Sequence, residues 1–341
     1  MPRTIFVTGA TGFIAKHVVL KLLQRGDRVV CSVRVMARGH EVRQAIFANL
    51  GTRMFAEDRL RFVALDLTQD DGWADAMSGC DALIHTASPF PLSSPDNEDD
   101  LIRPAVDGSR RALTAAVAAG VPRVVLTSSV AAVSNCPLPE GRPFDERDWT
   151  DLASPLAGAY VKSKTLAERA AWEFVGNAGA SLGLTVINPS LVLGLPLDDY
   201  FGSSVGLVKR ILEGNDPMVP NLGFSAVDVD DVAEAHVRAL DAPESIGQRI
   251  IVASDSLWFH EMAAALKAEF PTRRIPTRIA PTIILRLLGL FDDSIRGIIP
   301  ALGRNDKFCT DKAHDMLGIS FKPSRDALLS SAHYLVDRKL V

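Results

Sequence analysis

Val7-Thr8-Gly9-Ala10-Thr11-Gly12-Phe13-Ile14-Ala15 closes a β-branched run, Thr4 to Thr8, and opens a stretch of helical period. Glycines at such a junction let the backbone approach an anion at the new helix N-terminus, where unpaired N–H groups and the helix dipole favour phosphate. Gly9, Thr11, Gly12, Phe13 and Ile14 are therefore expected to cradle a dinucleotide pyrophosphate. The spacing is GxxGxxA, with Ala15 where a third glycine would pack helix on sheet, and alanine is small enough for that purpose. The plainer alternative is a tight turn with no ligand; the strand-then-helix context favours the ligand.

Outward from this junction, apolar runs alternate with Ala/Leu-rich stretches as far as Pro189. Strands are expected at Thr4 to Thr8, Arg28 to Val33, Leu60 to Leu65, Asp81 to His85, Val121 to Thr127 and Leu184 to Ile187. Gly26, Gly120 and Gly183 each precede a strand, where a helix should stop. This alternation predicts an α/β fold, a Rossmann-type doubly wound parallel sheet over residues 1–189. After Pro189 the pattern breaks into Pro- and Gly-rich chain, a strand-like Arg249 to Ala253, and helices. Residues 190–341 are expected to form a smaller, mainly substrate-binding lobe, with segments near 225–253 returning to the sheet.

Of 341 residues, 47% are hydrophobic and 23% charged, the net charge is −4, and no Lys/Arg block occurs. That excludes a nucleic-acid surface and a polybasic membrane patch. Four scattered cysteines without a CxxC pair indicate neither a disulfide framework nor zinc. His40-Glu41 and His260-Glu261 lack the second histidine of HExxH, so no metal site is expected. No apolar signal segment opens the chain, and reduced cytoplasm is the expected compartment. Ile279 to Leu290 is interrupted by Arg286 and falls short of the ~20 apolar residues of a membrane helix; an amphipathic covering helix is expected, and no membrane partner.

The second strand ends Cys31-Ser32-Val33-Arg34, without the carboxylate that binds a ribose 2′-hydroxyl. Arg34, Arg38 and Arg43 can pair with a 2′-phosphate, which favours NADP(H); the plain alternative is a solvated loop and helix face. Asp66 could accept from the adenine amino group or cap its own turn.

Tyr160 is one of three tyrosines, and Lys164 follows four residues on. Ala167, Ala171 and Phe174 continue an apolar stripe, so Lys164 should point inward, which needs a reason. An ammonium held near a phenol favours the phenolate and lowers its pKa from about 10, making Tyr160 a usable acid or base. Leu126-Thr127-Ser128-Ser129 ends the fifth strand at the edge where open α/β sheets bind ligands, and a hydroxyl there could polarise a carbonyl. Gly202-Ser203-Ser204-Val205-Gly206 fits GxSxG, but no strand precedes it, so it reads as a chance match.

These segments, with Ile187-Asn188-Pro189-Ser190-Leu191-Val192-Leu193-Gly194, resemble the extended short-chain dehydrogenase/reductase family, most closely its dihydroflavonol reductase and aldehyde reductase-like branch. The resemblance runs nearly end to end and includes Val227 to Ala233 and Gly247 to Val252. It implies Ser129, Tyr160 and Lys164 as the catalytic set, with Lys164 bridging the tyrosine and the nicotinamide ribose. It implies that Thr86, Ala87 and Ser88 line ribose and phosphate and that Pro189 and Ser190 lie by the nicotinamide. Leu67, Thr127 and Ser204 join the cofactor contacts, and Pro89 and Phe90 join Ser129 and Tyr160 at the substrate. The Asn-Trp-Tyr-Cys-Tyr signature of cinnamoyl-CoA reductases is missing before Tyr160, which argues against a coenzyme A thioester. The expected activity is NADPH-dependent reduction of hydrophobic or aromatic carbonyl compounds by a monomer or homodimer. The alternatives are a nucleotide-sugar epimerase or dehydratase holding NAD, and a non-catalytic NADP(H)-sensing protein.

Overall fold

The computed structural model describes residues 2–50, 57–89, 97–177 and 182–341. Strand β1 (Thr4–Thr8) leads into helix α1 (Phe13–Arg25). The alternation continues through β2 (Arg28–Val33), α2 (Met36–Asn49), β3 (Leu60–Ala64), α3 (Trp73–Met77), β4 (Ala82–His85), α4 (Asp99–Ala118), β5 (Arg123–Thr127), α5 (Ala159–Asn177) and β6 (Gly183–Pro189). Then come β7 (Leu191–Leu193), α6 (Gly202–Glu213), β8 (Gly223–Asp228), α7 (Val229–Ala239), β9 (Arg249–Val252) and β10 (Ser256–Trp258). Helices α8 (Phe259–Glu269), α9 (Thr282–Leu288), α10 (Asp293–Ile298), α11 (Asp311–Leu317) and α12 (Ser324–Asp337) complete the described strands and α-helices.

Among the described residues, seven strands form one sheet in the order β3-β2-β1-β4-β5-β6-β9, every neighbouring pair parallel. Such a sheet is covered on both faces, so the middles of its strands are mostly apolar. Ile5 and Val7 of β1 pack on one side with Val18 and Leu22 of α1 and Val232 of α7. Phe6 between them points to the other side, with Leu83 of β4, Leu113 of α4 and Ala171 of α5. The chain order reverses between β1 and β4, and a ligand crevice opens beyond the carboxyl ends of the strands at such a switch point. The glycine-rich turn and the Thr86 segment flank it.

A three-stranded sheet, β10-β8-β7, carries the second core, in which Val208 and Leu212 of α6 meet Met262 and Leu266 of α8 and Leu328 and Leu335 of α12. Of the 225–253 stretch, α7 and β9 lie on the large sheet, whereas β8 belongs to the small one. Gly26 (φ +97°) ends α1 and Gly120 (φ +72°) follows α4 in the left-handed conformation glycine adopts without strain. Gly183 differs from its expected role. It is the first residue of β6, and a Cβ there would lie 2.9 Å from Ile246 Cδ1, so close packing explains it.

The apolar segment 279–291 also departs from expectation. Helix α9 is short, and Ile283, Leu287, Leu290 and Phe291 face outward, Phe291 90% exposed. The segment leaves from an Ala280 N–H bond to the Val219 carbonyl and returns where Gly303 N–H donates to the Asn221 carbonyl. Both ends are thus fixed on one short stretch while the middle covers little of the core. No described helix is long and apolar enough to cross a membrane.

Candidate active site

The carboxyl ends of β1 and β4 are fastened together by Thr8. Its hydroxyl oxygen accepts the N–H groups of Thr86 and Ala87, each at 3.1 Å, and it shares a 2.8 Å hydrogen bond with His85 Nδ1. Thr86 Oγ1 donates back to the Thr8 carbonyl at 2.6 Å. Gly9 sits against this junction with φ +68°, and a Cβ on it would lie 2.9 Å from Ala87 Cα. Gly12 precedes α1 with no side chain capping the first N–H groups. Phe13 packs against the cluster of the second lobe that contains Val205, beside Ser204 in the first turn of α6. Ser204 is therefore on a helix, with no strand before it in the GxSxG string.

A dinucleotide fits this edge on observations of the protein alone. Both glycines of the turn lack a side chain, and α1 begins directly after it with no side-chain cap on its first N–H groups. His85 Nε2 and Ser190 Oγ are buried without a hydrogen-bond partner. Buried polar atoms of this kind are uncommon and call for a partner. Ser190 follows Pro189, whose strand pairs with β9 at Val252. Ser88 and Pro89 are half-buried past β4; Phe90 lies outside the described residues.

The arginines separate by role. The Arg34 side chain is 77% exposed beside β2, with its Nε 3.7 Å from Asp66 Oδ2. Arg38 lies with its guanidinium carbon 3.9 Å from the centre of the Tyr200 ring. Arg43 is a different case: its guanidinium donates to the Leu60 carbonyl at 2.7 Å and lies over the Phe47 and Phe62 rings, so it fastens α2 to β3. Asp66 caps its own turn, accepting Thr68 N–H and Oγ1 at 2.8 Å each, which pulls its carboxyl below the usual range. Leu67 packs against Gly108 of α4, and its carbonyl accepts from Arg111.

At the end of β5 the two serines divide. Ser128 is buried and donates to Glu168 Oε2 at 2.5 Å. Ser129 is half-buried, caps the following turn by accepting Ala131 N–H at 3.1 Å, and its hydroxyl is hydrogen-bonded to that of Tyr160. Thr127 Oγ1 pairs with His236 at 2.6 Å beneath them. Lys164 is buried one turn along α5 from Tyr160, with Ala167 and Ala171 on the same covered stripe. Burial pushes its ammonium down to about 8, with the Glu168 carboxylate opposing. His85 is pushed down to about 3 by burial and then by the charge of Lys164, so it is neutral. Tyr160 departs from the expected direction. Burial raises its phenol above the ordinary value, the Ser129 hydrogen bond pulling the other way, because removing water from a phenolate costs more than one hydroxyl returns. Tyr160 therefore keeps its proton at neutral pH.

Sequence reasoning missed two buried charges next to these residues. Lys16, 1% exposed in α1, binds Asp198 and donates to the Tyr200 carbonyl at 2.9 Å, fastening the 198–200 loop over the start of α1. Glu168 lies one turn beyond Lys164 and pairs with Arg249 of β9 at 2.5 Å. A carboxylate at i+4 from an inward lysine, on a stripe of buried alanines, was the available signal.

The sequence model of the NAD dependent epimerase/dehydratase family matches residues 5–253. Cinnamoyl-CoA reductase 2 of Arabidopsis thaliana is 33% identical over 341 residues, covering 98% of this chain and 93% of that protein. An anthocyanidin reductase ((2S)-flavan-3-ol-forming) of Vitis vinifera is 33% identical over 291 residues, covering 81% of this chain and 83% of that one. The crystal structure of yeast methylglyoxal/isovaleraldehyde reductase Gre2 complexed with NADPH superposes with a TM-score of 0.81 at 28% identity, covering 99% of this chain and 100% of that one. The chain belongs to the NAD dependent epimerase/dehydratase family, in the dihydroflavonol reductase-like branch of the extended short-chain dehydrogenases/reductases.

Proposed function

We propose that the protein is an NADPH-dependent carbonyl reductase, reducing an aldehyde or ketone to an alcohol. The observation that carries this reading is the hydrogen-bonded Ser129–Tyr160 pair with a buried lysine one turn on, at the sheet edge that also presents the glycine-rich turn. When bound, the reduced nicotinamide supplies the hydride. Gly9, Thr11, Gly12, Phe13 and Ile14 would hold the pyrophosphate, with Ser204 from α6. Thr86, Ala87 and Ser88 would line the ribose and phosphate, with Thr127 beneath and Asp66 and Leu67 toward the adenine. Arg34 and Arg38 would take the 2′-phosphate, and the likeness to a reductase crystallised with NADPH supports that preference over NADH.

Tyr160 holds a proton at its phenolic oxygen and gives it to the carbonyl oxygen as charge develops there. Ser129 donates to the same oxygen and steadies it. Lys164 keeps a positive charge beside the donor and reaches the nicotinamide ribose, while Pro189 and Ser190 set the position of the ring. The lobe from residue 190 onward covers the substrate. Arg304 donates to the Ser134 carbonyl at 2.9 Å and Asn135 Oδ1 at 3.2 Å, joining that lobe to the loop after Ser129. The apolar side chains of that lobe and Pro89 favour hydrophobic or aromatic carbonyl compounds.

The test is NADPH oxidation over a panel of aldehydes and ketones with wild type, Tyr160→Phe and Lys164→Met. Turnover falling at least about 100-fold in both variants is expected for loss of general acid catalysis, and unimpaired variants refute the assignment. Cinnamoyl-CoA belongs in the panel and is expected to be a poor substrate.

A further inference from the structure

We propose that Glu168 is a positioning residue for this reaction: its carboxylate, buried one helical turn beyond Lys164, fixes the backbone that carries Ser129 and balances the charge of the Lys164 ammonium. The proposal rests on the Ser129, Tyr160 and Lys164 reading above.

The side chain of Glu168 is closed to solvent, and both of its oxygens are used. Oε2 accepts from Ser128 Oγ at 2.5 Å and from Asn188 Nδ2 at 2.7 Å. Oε1 accepts from Arg249 Nε at 2.5 Å and, more weakly, from Trp172 Nε1 at 3.4 Å. Asn188 Nδ2 also donates to the Ser129 carbonyl at 3.1 Å. One carboxylate therefore ties the ends of β5 and β6 to α5 and β9, and Ser129 is held through both its preceding residue and its own carbonyl.

Arg249 is anchored independently of Glu168. It donates to the Glu146, Asp148 and Ala132 carbonyls, and its guanidinium lies 3.7 Å from the Trp149 ring centre. The other titratable groups around the cluster are Tyr160 on the same helix, His85 ending β4, His236 of α7 against Thr127, and Glu146, which accepts Ile251 N–H. Both histidines are held neutral by burial, and burial raises the Glu146 carboxyl. Glu168 is the carboxylate that acts on Lys164. A glutamate needed only to neutralise Arg249 would affect stability; one that also serves Lys164 and Ser129 affects turnover and its pH dependence.

Glu168→Gln keeps the shape but leaves the Arg249 guanidinium buried without a counter-ion, which endangers folding. The informative variant is E168Q/R249M, which removes both charges and refills the volume, with Glu168→Asp as a second variant that keeps the charge and withdraws it by one methylene. The measurements are kcat and KM against pH with NADPH and the best carbonyl substrate, NADPH affinity by fluorescence, and thermal unfolding. E168Q/R249M is expected to bind NADPH within about threefold of wild type while kcat falls about tenfold or more. Its alkaline limb is expected to move about one unit toward lower pH, because a lysine without its counter-charge loses its proton sooner. Glu168→Asp is expected to keep the limb near its wild-type pH and to lose kcat through the displaced Ser129. Wild-type kcat and limb in either folded variant, while Tyr160→Phe is inactive, overturn the role of Glu168 alone. Turnover surviving in Tyr160→Phe overturns the catalytic assignment and this proposal with it.

Discussion

Replacing Gly9 and Gly12 by alanine separates the two reasons a glycine can stand in the first turn. At Gly9 the backbone has φ +68°, where a β-carbon costs roughly 1 kcal/mol or more. The new methyl would also lie 2.9 Å from Ala87 Cα and 3.1 Å from its nitrogen, well inside the ~3.5 Å of ordinary contact. Ala87 cannot withdraw cheaply, because its N–H and the Thr86 hydroxyl are both bonded to Thr8. Forced overpacking costs about 1 to 3 kcal/mol, so Gly9→Ala should lose about 2 to 4 kcal/mol of stability. Gly12 has φ −72°, and its nearest obstacle is the Gly9 carbonyl oxygen at 3.2 Å, which a shift of a few tenths of an ångström relieves. Gly12→Ala should therefore fold, at a cost below about 1 kcal/mol, yet weaken NADPH about tenfold or more, since its methyl stands where the pyrophosphate must approach. Urea unfolding at unchanged slope reads the first effect, and titration of cofactor fluorescence reads the second. A wild-type midpoint in Gly9→Ala refutes the steric argument; wild-type affinity in Gly12→Ala refutes the phosphate site.

Arg34→Ala and Arg38→Ala should each raise the KM for NADPH by about tenfold, the value of a charge-assisted bond, and leave that for NADH nearly unchanged; steady-state kinetics with both cofactors checks this. Asp198→Ala leaves the Lys16 ammonium buried without its partner and should cost about 3 kcal/mol by thermal or urea unfolding, whereas Lys16→Met/Asp198→Ala should recover most of it. His17 and His236 are pushed down to about 4, and His85 to about 3, burial being the main cause in each. The unfolded chain therefore binds protons first, and stability should fall as pH drops from 6.5 toward 4, at about 1.4 kcal/mol per pH unit for each histidine. Denaturation across that window tests it, and His85→Asn should flatten the slope.

The strands of the nucleotide-binding half were legible because each is a continuous apolar run closed by a glycine or a turn. β1 and β2 lie where expected, β3 to β5 differ by one or two residues, and β6 is longer by one residue at its start and two at its end. The resemblance selects Ser129 over Ser128; in the structure Ser128 donates to Glu168, while the Ser129 hydroxyl meets that of Tyr160. Periodicity could not show what holds the site in place. Lys16 finds Asp198 at a separation of 182 residues, and Glu168 finds Arg249 at 81, distances over which no local pattern operates. Segment 279–291 departs from the expected covering helix for a related reason. Its amphipathic pattern requires an apolar face but does not say what will cover it.

Strand β9 reaches the edge of the large sheet only after the chain has left it to build β7, α6, β8 and α7. During synthesis, the Glu168 carboxylate must wait for residue 249 to emerge before it meets its guanidinium, and until then β6 presents unpaired backbone along one side. A fragment ending at 189 would retain the whole glycine-rich turn yet lack the guanidinium that meets Glu168 Oε1, and it would present a sticky rim. The half that carries the glycine-rich turn is thus not a module that can be cut free; the last strand of its sheet is delivered from far beyond residue 189.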